Sequence, residues 1–362
     1  MTGDIADIGG SLAAAAAACA AGAGACRLMM AAALTDAPDT ARKAHKAPTP
    51  TGGGLGAALG VGIGMALAPL AGPEPGLVAA LIFAAAMLAL GLADDLVSPP
   101  ARLKLVAIAG LSAAFAAWGG QVDAIGFLDA GAVAIGGLDL AWPERTLSLH
   151  AVVAIGGTAL WLFTLTNAVN FMDGANGLAM GSTAIGAVGL ALLALMHGAA
   201  APAIAGLVLA AGLAGFLVWN APAGRLFAGD AGSLFAGGLA AAVGVLVVQD
   251  GGAPVWAVAL CFLPILADVL LTLAHRVRQR RNLLNGHREH LYQIGLRAGT
   301  RHGRIAALYA FLTVHCVLCA LAGSLFGDFG ALVAFLVNVL IALRLSARVR
   351  AYAIEAGLDA EV

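Results

Sequence analysis

The sequence predicts an all-α polytopic membrane protein, and three observations carry that prediction. Of 362 residues, 61% are hydrophobic and only 11% charged, against about 25% charged in an average globular chain. Mean hydropathy is +0.94. The apolar residues fall in successive runs near the ~20 residues that a helix needs to cross a bilayer. A single soluble core stops growing near ~250–300 residues, so lipid must cover what the protein cannot. This composition excludes a soluble enzyme, a disordered chain and a disulfide scaffold. The net charge of −1 gives no reason to expect a nucleic-acid partner.

Eleven spans are predicted, at about 8–33, 55–71, 77–93, 103–119, 151–168, 177–198, 202–219, 233–249, 253–274, 304–324 and 328–346. The first follows Asp4 and Asp7 rather than a basic leader. It therefore reads as a helix that stays in the membrane, not a cleaved signal. The second is short and rich in glycine. Alanine and glycine in several spans let helix backbones approach closely. Between the fourth and fifth spans, Val122–Leu140 alternates weakly with Gly and Asp, which predicts a short β-hairpin. Cys19, Cys26, Cys261, Cys316 and Cys319 all lie in apolar runs. The Cys316-x-x-Cys319 spacing has no second pair, so these read as small helix residues. No fixed-period repeat or separate domain is visible, and residues 1–362 read as a single integral membrane domain.

Lysine and arginine set the orientation. With eleven spans, one side collects 34–54, 94–102, 167–176, 220–232, 275–303 and the C-terminus. Of 19 Lys and Arg, all but Arg27 and Arg145 lie on or border that side. It is therefore expected to be cytoplasmic, with the N-terminus periplasmic and the C-terminus cytoplasmic.

The uncommon polar residues gather on that same side. Lys43-Ala44-His45-Lys46-Ala47-Pro48-Thr49-Pro50-Thr51 is a basic loop running into a glycine-rich helix start, where free backbone N–H groups favour anions. Asp94-Asp95 is a carboxylate pair at a helix end, against the macrodipole, which disfavours a merely stabilising role. Side chains of adjacent helical residues point about 100° apart, so the two aspartates need not share a task. Arg102 and Lys104 follow; they can contact phosphate or snorkel. Asn167, Asn170 and Asp173 recur at i, i+3, i+6, which is expected to set them roughly on one helix face, where they can hydrogen-bond a base or sugar edge. Asn176 can cap the next helix. Asp230 sits in the turn Gly229-Asp230-Ala231-Gly232-Ser233. It can give oxygen to Mg²⁺, which prefers one or two carboxylates plus substrate phosphates. Asp268 is near the end of the ninth span. The arginine-rich loop after it carries His287-Arg288-Glu289-His290, a pairing of histidine and arginine suited to a diphosphate.

In this order, the motifs K-A-H-K-A-P-T-P-T-G-G, Asp94-Asp95, N-A-V-N-F-M-D-G, G-D-A-G-S, Asp268 and H-R-E-H resemble the MraY/WecA family. Its members are polyprenyl-phosphate N-acetylhexosamine-1-phosphate transferases. The resemblance runs from Lys43 to about Gln293. It implies a multi-pass enzyme of the bacterial inner membrane with a cytoplasmic active site. Sugar 1-phosphate would pass from a UDP-sugar to undecaprenyl phosphate, releasing UMP and starting a lipid-linked envelope glycan. By motif, Asp230 resembles the Mg²⁺ ligand, a place Mn²⁺ could also take. Asp94 resembles the residue that contacts or deprotonates the lipid phosphate, with Asp95 beside it. Lys46 and Thr51 match the basic loop near the phosphates. Asn170 and Asp173 match nucleoside-binding positions, and Asn176 is expected among the substrate-binding residues. Asp268, His287 and His290 match the sugar-nucleotide side. A homodimer is compatible with this.

Two departures narrow the expectation. Asn176 stands in D-G-A-N-G where the family commonly has D-G-x-D-G. The three-histidine run of the peptidoglycan translocase is replaced by His287 and His290. The O-antigen and envelope-glycan branch, with UDP-GlcNAc or a relative as donor, is therefore expected over the phospho-MurNAc-pentapeptide translocase. A secondary transporter is the alternative of another class, but its ionisable groups belong near the bilayer midplane, whereas these gather at one face.

Overall fold

A computed structural model describes residues 8–31, 35–36, 49–129, 131–135, 138–221, 224–283 and 286–358. Helices α1 (Ile8–Ala31), α2 (Gly53–Ala66), α3 (Pro75–Val97) and α4 (Ala101–Trp118) form the first part, with a two-residue ladder between β1 (Thr35–Asp36) and β2 (Thr49–Pro50). Four strands follow: β3 (Ala124–Leu128), β4 (Gly131–Ile135), β5 (Leu138–Trp142) and β6 (Arg145–Ser148). Then come α5 (Ala151–Met172), α6 (Leu178–Met196), α7 (Ala200–Asn220) and α8 (Gly229–Gly251). The last part holds α9 (Val255–Leu260), α10 (Leu263–Arg278), α11 (Leu291–Arg297), α12 (His302–Ser324) and α13 (Gly327–Glu355).

Among the described residues, nine helices are long and apolar enough to cross a membrane: α1, α3, α4, α5, α6, α7, α8, α12 and α13. The protein is a polytopic α-helical membrane protein. The two remaining spans of the expected eleven take other forms. The second is the 14-residue α2, short for a bilayer crossing. The ninth is broken into α9 and α10, with Cys261 and Phe262 between them. Pro264 in the first turn of α10 lacks an amide hydrogen, and the ring is tolerated there because that N–H has no helical partner.

Helix α8 is the hub. In its most apolar window 94% of residues are buried, against 17% in α13. A helix apolar all round belongs in the interior, and the glycines and alanines of α8 let neighbours come close. Gly237 lies against Thr166 of α5, and Gly238 against Met87 of α3. Helix α13 lies at the rim, with Phe329, Leu336, Leu340 and Ile341 exposed, as a lipid-facing helix requires.

The expected single hairpin at Val122–Leu140 is instead two antiparallel ladders reaching Ser148. β3 pairs with β6, and β4 pairs with β5. Trp256 of α9 donates to the Gly126 carbonyl at 2.8 Å, tying this region to the bundle. Arg27 stacks over Trp219 at the end of α7, 5.9 Å from the ring centroid. It therefore sits at the end of the bundle that carries the loop after α7, with the other basic residues.

Candidate active site

The site is built where four helix ends meet. Helix α3 runs to Val97, so Asp94 and Asp95 lie within its last turn. Helix α4 returns after Ser98, Pro99 and Pro100, bringing Lys104 back onto that turn. Lys104 Nζ lies 2.9 Å from Asp94 Oδ2 and 2.7 Å from Asp230 Oδ2. The lysine side chain is only 15% exposed, so it is a recessed bridge between two carboxylates rather than a snorkelling surface cation.

Asp230 opens α8. Its other oxygen, Oδ1, accepts from Asn170 Nδ2 at 2.7 Å, and the same amide lies 2.8 Å from Ser233 Oγ. Asp95 does a different job from Asp94. Its carboxylate accepts the backbone amides of Asp230 at 2.9 Å and Ala231 at 3.0 Å. It thus caps α8 from another helix, and its negative charge favours the helix N-terminus. Gly229 has φ of +70°, and a Cβ there would come within 2.6 Å of Asp95 Oδ2. Both the turn and the cap require glycine at this position.

The start of α2 is laced to the same turn. Gly53 and Gly54 amides donate to the Phe227 and Ala228 carbonyls at 2.9 and 3.0 Å, and the Phe227 amide donates to the Pro50 carbonyl at 2.9 Å. A Cβ on Gly54 would overlap Gly232. Thr51, half-buried between these contacts, is thereby held beside the Asp230 turn. Lys46 lies outside the described residues.

Helix α5 extends through Met172, so Asn170 is in its last turn and Asp173 caps it. Asn167 does not share their face. It is buried, and its Nδ2 donates to the Phe163 carbonyl of its own helix at 2.7 Å. An i, i+3, i+6 series drifts around a helix of 3.6 residues per turn, which carries Asn167 away. Asp173 has its carboxyl pushed up to about 7, by burial first and then by the negative charges of Asp230 and Asp95. Asn176 sits elsewhere, with its side chain against Gly224 and its amide 3.4 Å from His302 Nδ1.

The histidine loop joins from the other side of α5. The His290 and Phe171 ring centroids are 6.2 Å apart, and Tyr292 donates to the Phe171 carbonyl at 3.2 Å. Asp268 is fully buried, and protein donors surround it. Oδ1 accepts from the Leu291 amide at 2.8 Å and lies 3.3 Å from His290 Nδ1. Oδ2 accepts from the Tyr309 hydroxyl at 2.5 Å and the Tyr292 amide at 3.2 Å. Its role is to hold the loop. Buried Arg276 pairs with buried Glu289, and Arg281 reaches the same Glu289 oxygen at 3.1 Å. His287 faces His290 with ring centroids 5.0 Å apart. Burial, followed by the nearby His290 and Arg276, lowers its imidazole to about 4. Its Nδ1 is buried without a hydrogen-bond partner.

The aspartates, Asn170 and Lys104 thus meet at one end of the bundle, and α5 links them to the histidines. Glu289 as an anchor, and Tyr292 and Tyr309 as supports, had no motif to announce them, while Lys104 stood out as a cation after the aspartate pair but not as a bridge to Asp230. The Pro-Pro turn after Asp94-Asp95 was the available signal for Lys104, because it folds α4 back over the pair. Among the described residues, no three His, Cys, Asp or Glu side chains form a ready metal cage. The donor set of Asp230, Asp94 and amide oxygen is hard and oxygen-rich. It fits Mg²⁺, which keeps waters and leans on substrate phosphates.

The sequence pattern of the family described as glycosyl transferase family 4 matches residues 77–248, from the start of α3 to the end of α8. That stretch contains Asp94, Asp95, Lys104, Asn170, Asp173 and Asp230. Over that stretch, just under half of its length, the chain is similar to glycosyl transferase family 4. Similar proteins include a decaprenyl-phosphate N-acetylglucosaminephosphotransferase of Mycobacterium tuberculosis, 28% identical over 79% of this chain and 74% of the relative. A Symbiobacterium thermophilum phospho-N-acetylmuramoyl-pentapeptide-transferase is 33% identical over 58% of this chain and 64% of its own length. A Bacillus subtilis protein named "Probable undecaprenyl-phosphate N-acetylglucosaminyl 1-phosphate transferase" is 31% identical over 45% of this chain. The match spans 42% of that Bacillus protein, less than half its length. The family 4 match and these relatives bear out the MraY/WecA resemblance of the motifs.

Proposed function

We propose that this protein moves an N-acetylhexosamine 1-phosphate from a UDP-sugar to undecaprenyl phosphate at the cytoplasmic face of the bacterial inner membrane. UMP leaves, and a lipid-linked envelope glycan begins. The observation that carries this reading is the Lys104 bridge between Asp94 and Asp230, with Asn170 on the remaining Asp230 oxygen.

The chemistry suits such a site. An oxygen of the lipid phosphate bonds to the sugar-bearing phosphorus. The bond from that phosphorus to the uridine-bearing phosphate breaks, and the electron pair leaves on UMP. The nucleophile is already anionic, so the protein's task is charge neutralisation and positioning. Lys104 supplies a fixed positive charge. Mg²⁺ held by Asp230, with Asp94 alongside, would supply the rest at the phosphates. Asp95 keeps Asp230 in place. Asn170 and Asp173 face the nucleoside side, and His287 and His290 the sugar and diphosphate.

A lipid acceptor has a suitable path. An apolar cavity of about 420 Å³ lies between α5, α10 and α13, lined by Leu160, Trp161, Thr164, Leu266, Leu270 and Phe335. Thr164 is less than two turns along α5 from Asn170, so the cavity reaches within about 9 Å, along the helix axis, of the residue that contacts Asp230.

The relatives' names include both GlcNAc-phosphate and phospho-MurNAc-pentapeptide transferases. The H-R-E-H loop favours UDP-GlcNAc or a related N-acetylhexosamine. The test is purified protein with undecaprenyl phosphate, Mg²⁺ and a panel of radiolabelled UDP-sugars, extracted into butanol. Mg²⁺-dependent label in the lipid phase from a UDP-N-acetylhexosamine is expected, with none from UDP-MurNAc-pentapeptide. Lipid label from the pentapeptide donor alone would overturn the choice of sugar. Label from no donor would overturn the reaction.

A further inference from the structure

A second cavity, of about 550 Å³, lies between α10, α11, α12 and α13. That is within the ~300–1,000 Å³ of ligand pockets. Its walls are mostly apolar, with Leu271, Ile294, Leu308, Leu312, Ile341 and Leu345 among them. Leu308, Ile341 and Leu345 are 48%, 49% and 38% exposed, so the cavity opens between α12 and α13 onto the flank that the bilayer covers. Arg304 also lines it, in the first turn of α12. The exposed Arg304 guanidinium has no hydrogen-bond or ion-pair partner among the described residues. Deeper in, His315 and Asn338 meet at 3.1 Å. From Arg304 to His315 the helix rises about 16 Å, close to the depth of one leaflet's hydrocarbon, half of ~30 Å.

We infer that this cavity binds one anionic phospholipid of the surrounding bilayer, with an acyl chain in the cavity and the headgroup phosphate on Arg304. An arginine fork suits a phosphate. Arg297 and Arg301 stand on the same short stretch of chain and make this corner of the membrane interface net positive, which favours an anionic headgroup over a zwitterionic one. The polyprenyl acceptor is a poor occupant. Asp268 and Tyr292 wall the cavity on its inner side, between Arg304 and the α5 end that touches Asp230. The site stands independently of the proposed reaction. Its wall is nonetheless the Tyr309–Asp268 pair that holds the histidine loop, so an acyl chain packs directly against the loop's support.

The test is native mass spectrometry of the full chain in a neutral detergent, titrated separately with phosphatidylglycerol and phosphatidylcholine. One phosphatidylglycerol should be retained at least about tenfold more readily than phosphatidylcholine. Arg304→Gln should reduce its retention to the phosphatidylcholine level, and Leu312→Trp, which fills the cavity, should reduce retention of both lipids. Undecaprenyl phosphate added in equal amount should not displace the phospholipid. Unchanged phosphatidylglycerol retention in Arg304→Gln overturns the site, and so does equal retention of the two phospholipids by the wild type. Displacement by undecaprenyl phosphate makes the cavity the acceptor's own and also overturns the inference.

Discussion

The carboxylate of Asp95 grips the backbone of Asp230, accepting its amide at 2.9 Å on Oδ1 while Oδ2 takes the Ala231 amide at 3.0 Å. The paired aspartates therefore divide the work: Asp94 shares a lysine with Asp230, and Asp95 holds the turn on which Asp230 sits. Asp95→Ala should cost about 1–2 kcal/mol of stability, as loss of a helix N-cap does. Activity should fall at least about tenfold, since a displacement of ~1 Å in a catalytic group can cost more than that. Asp95→Asn, which keeps one acceptor, should lie between. Thermal unfolding in detergent alongside turnover measures both. An Asp95→Ala protein as stable as wild type would remove the capping role.

Asp230→Asn keeps shape and the Asn170 contact but removes the charge. Turnover should fall by about 10²–10³-fold or more, several kcal/mol of transition-state stabilisation. The protein should still insert and unfold near the wild-type temperature. Mn²⁺ binding, followed by electron paramagnetic resonance, should weaken in parallel. Near wild-type turnover would sink the metal assignment.

Asp94 and Asp230 share Lys104, yet their losses should differ. Asp94→Asn is expected to impair use of the lipid phosphate more than binding of the nucleotide, because the proposed nucleoside contacts lie on the Asn170 side of the cluster. Steady-state kinetics varying each substrate, with UDP-sugar binding measured separately, separates the two. A collapse of UDP-sugar affinity with intact turnover at saturating lipid would reverse the roles.

The histidine loop gives a pH prediction. In the unfolded chain His287 titrates at the ordinary 6.5, but in the fold it is held to about 4. Below pH 6.5 the unfolded state takes up a proton that the native state refuses, so this contribution to stability is lost as pH falls from 6.5 toward 4. Unfolding temperatures across that window should drop less steeply in His287→Ala. At neutral pH the same variant, and His290→Ala, should lower kcat/KM for the UDP-sugar by about 10–1000-fold, roughly 1.4–4 kcal/mol. Full activity in the double variant would make the loop a mere carrier of positive charge.

Much of the molecule was legible before any coordinates. Composition and run length dictated a polytopic helical bundle, because an apolar run of membrane thickness can satisfy its backbone in lipid only as a helix. The ordered motifs pointed to the family and to the polar residues gathered at one end of the bundle, because acids and amides are costly at membrane depth. What the sequence could not decide was anything that depends on which helix end meets which. Asp95 reads like Asp94, yet one caps α8 and the other faces Lys104. Asp268 reads as a substrate contact, yet both its oxygens are filled by residues from 290 to 309. Asn167 and Asn170 share a motif and part company by helical drift. Sequence sets residue type and local period, whereas hydrogen-bond partners far apart in the chain are chosen by packing. Only the tertiary structure, with α3, α5 and α8 pressed together through their glycines and alanines, determined which carboxylates are spent on holding the site and which are left to act in it.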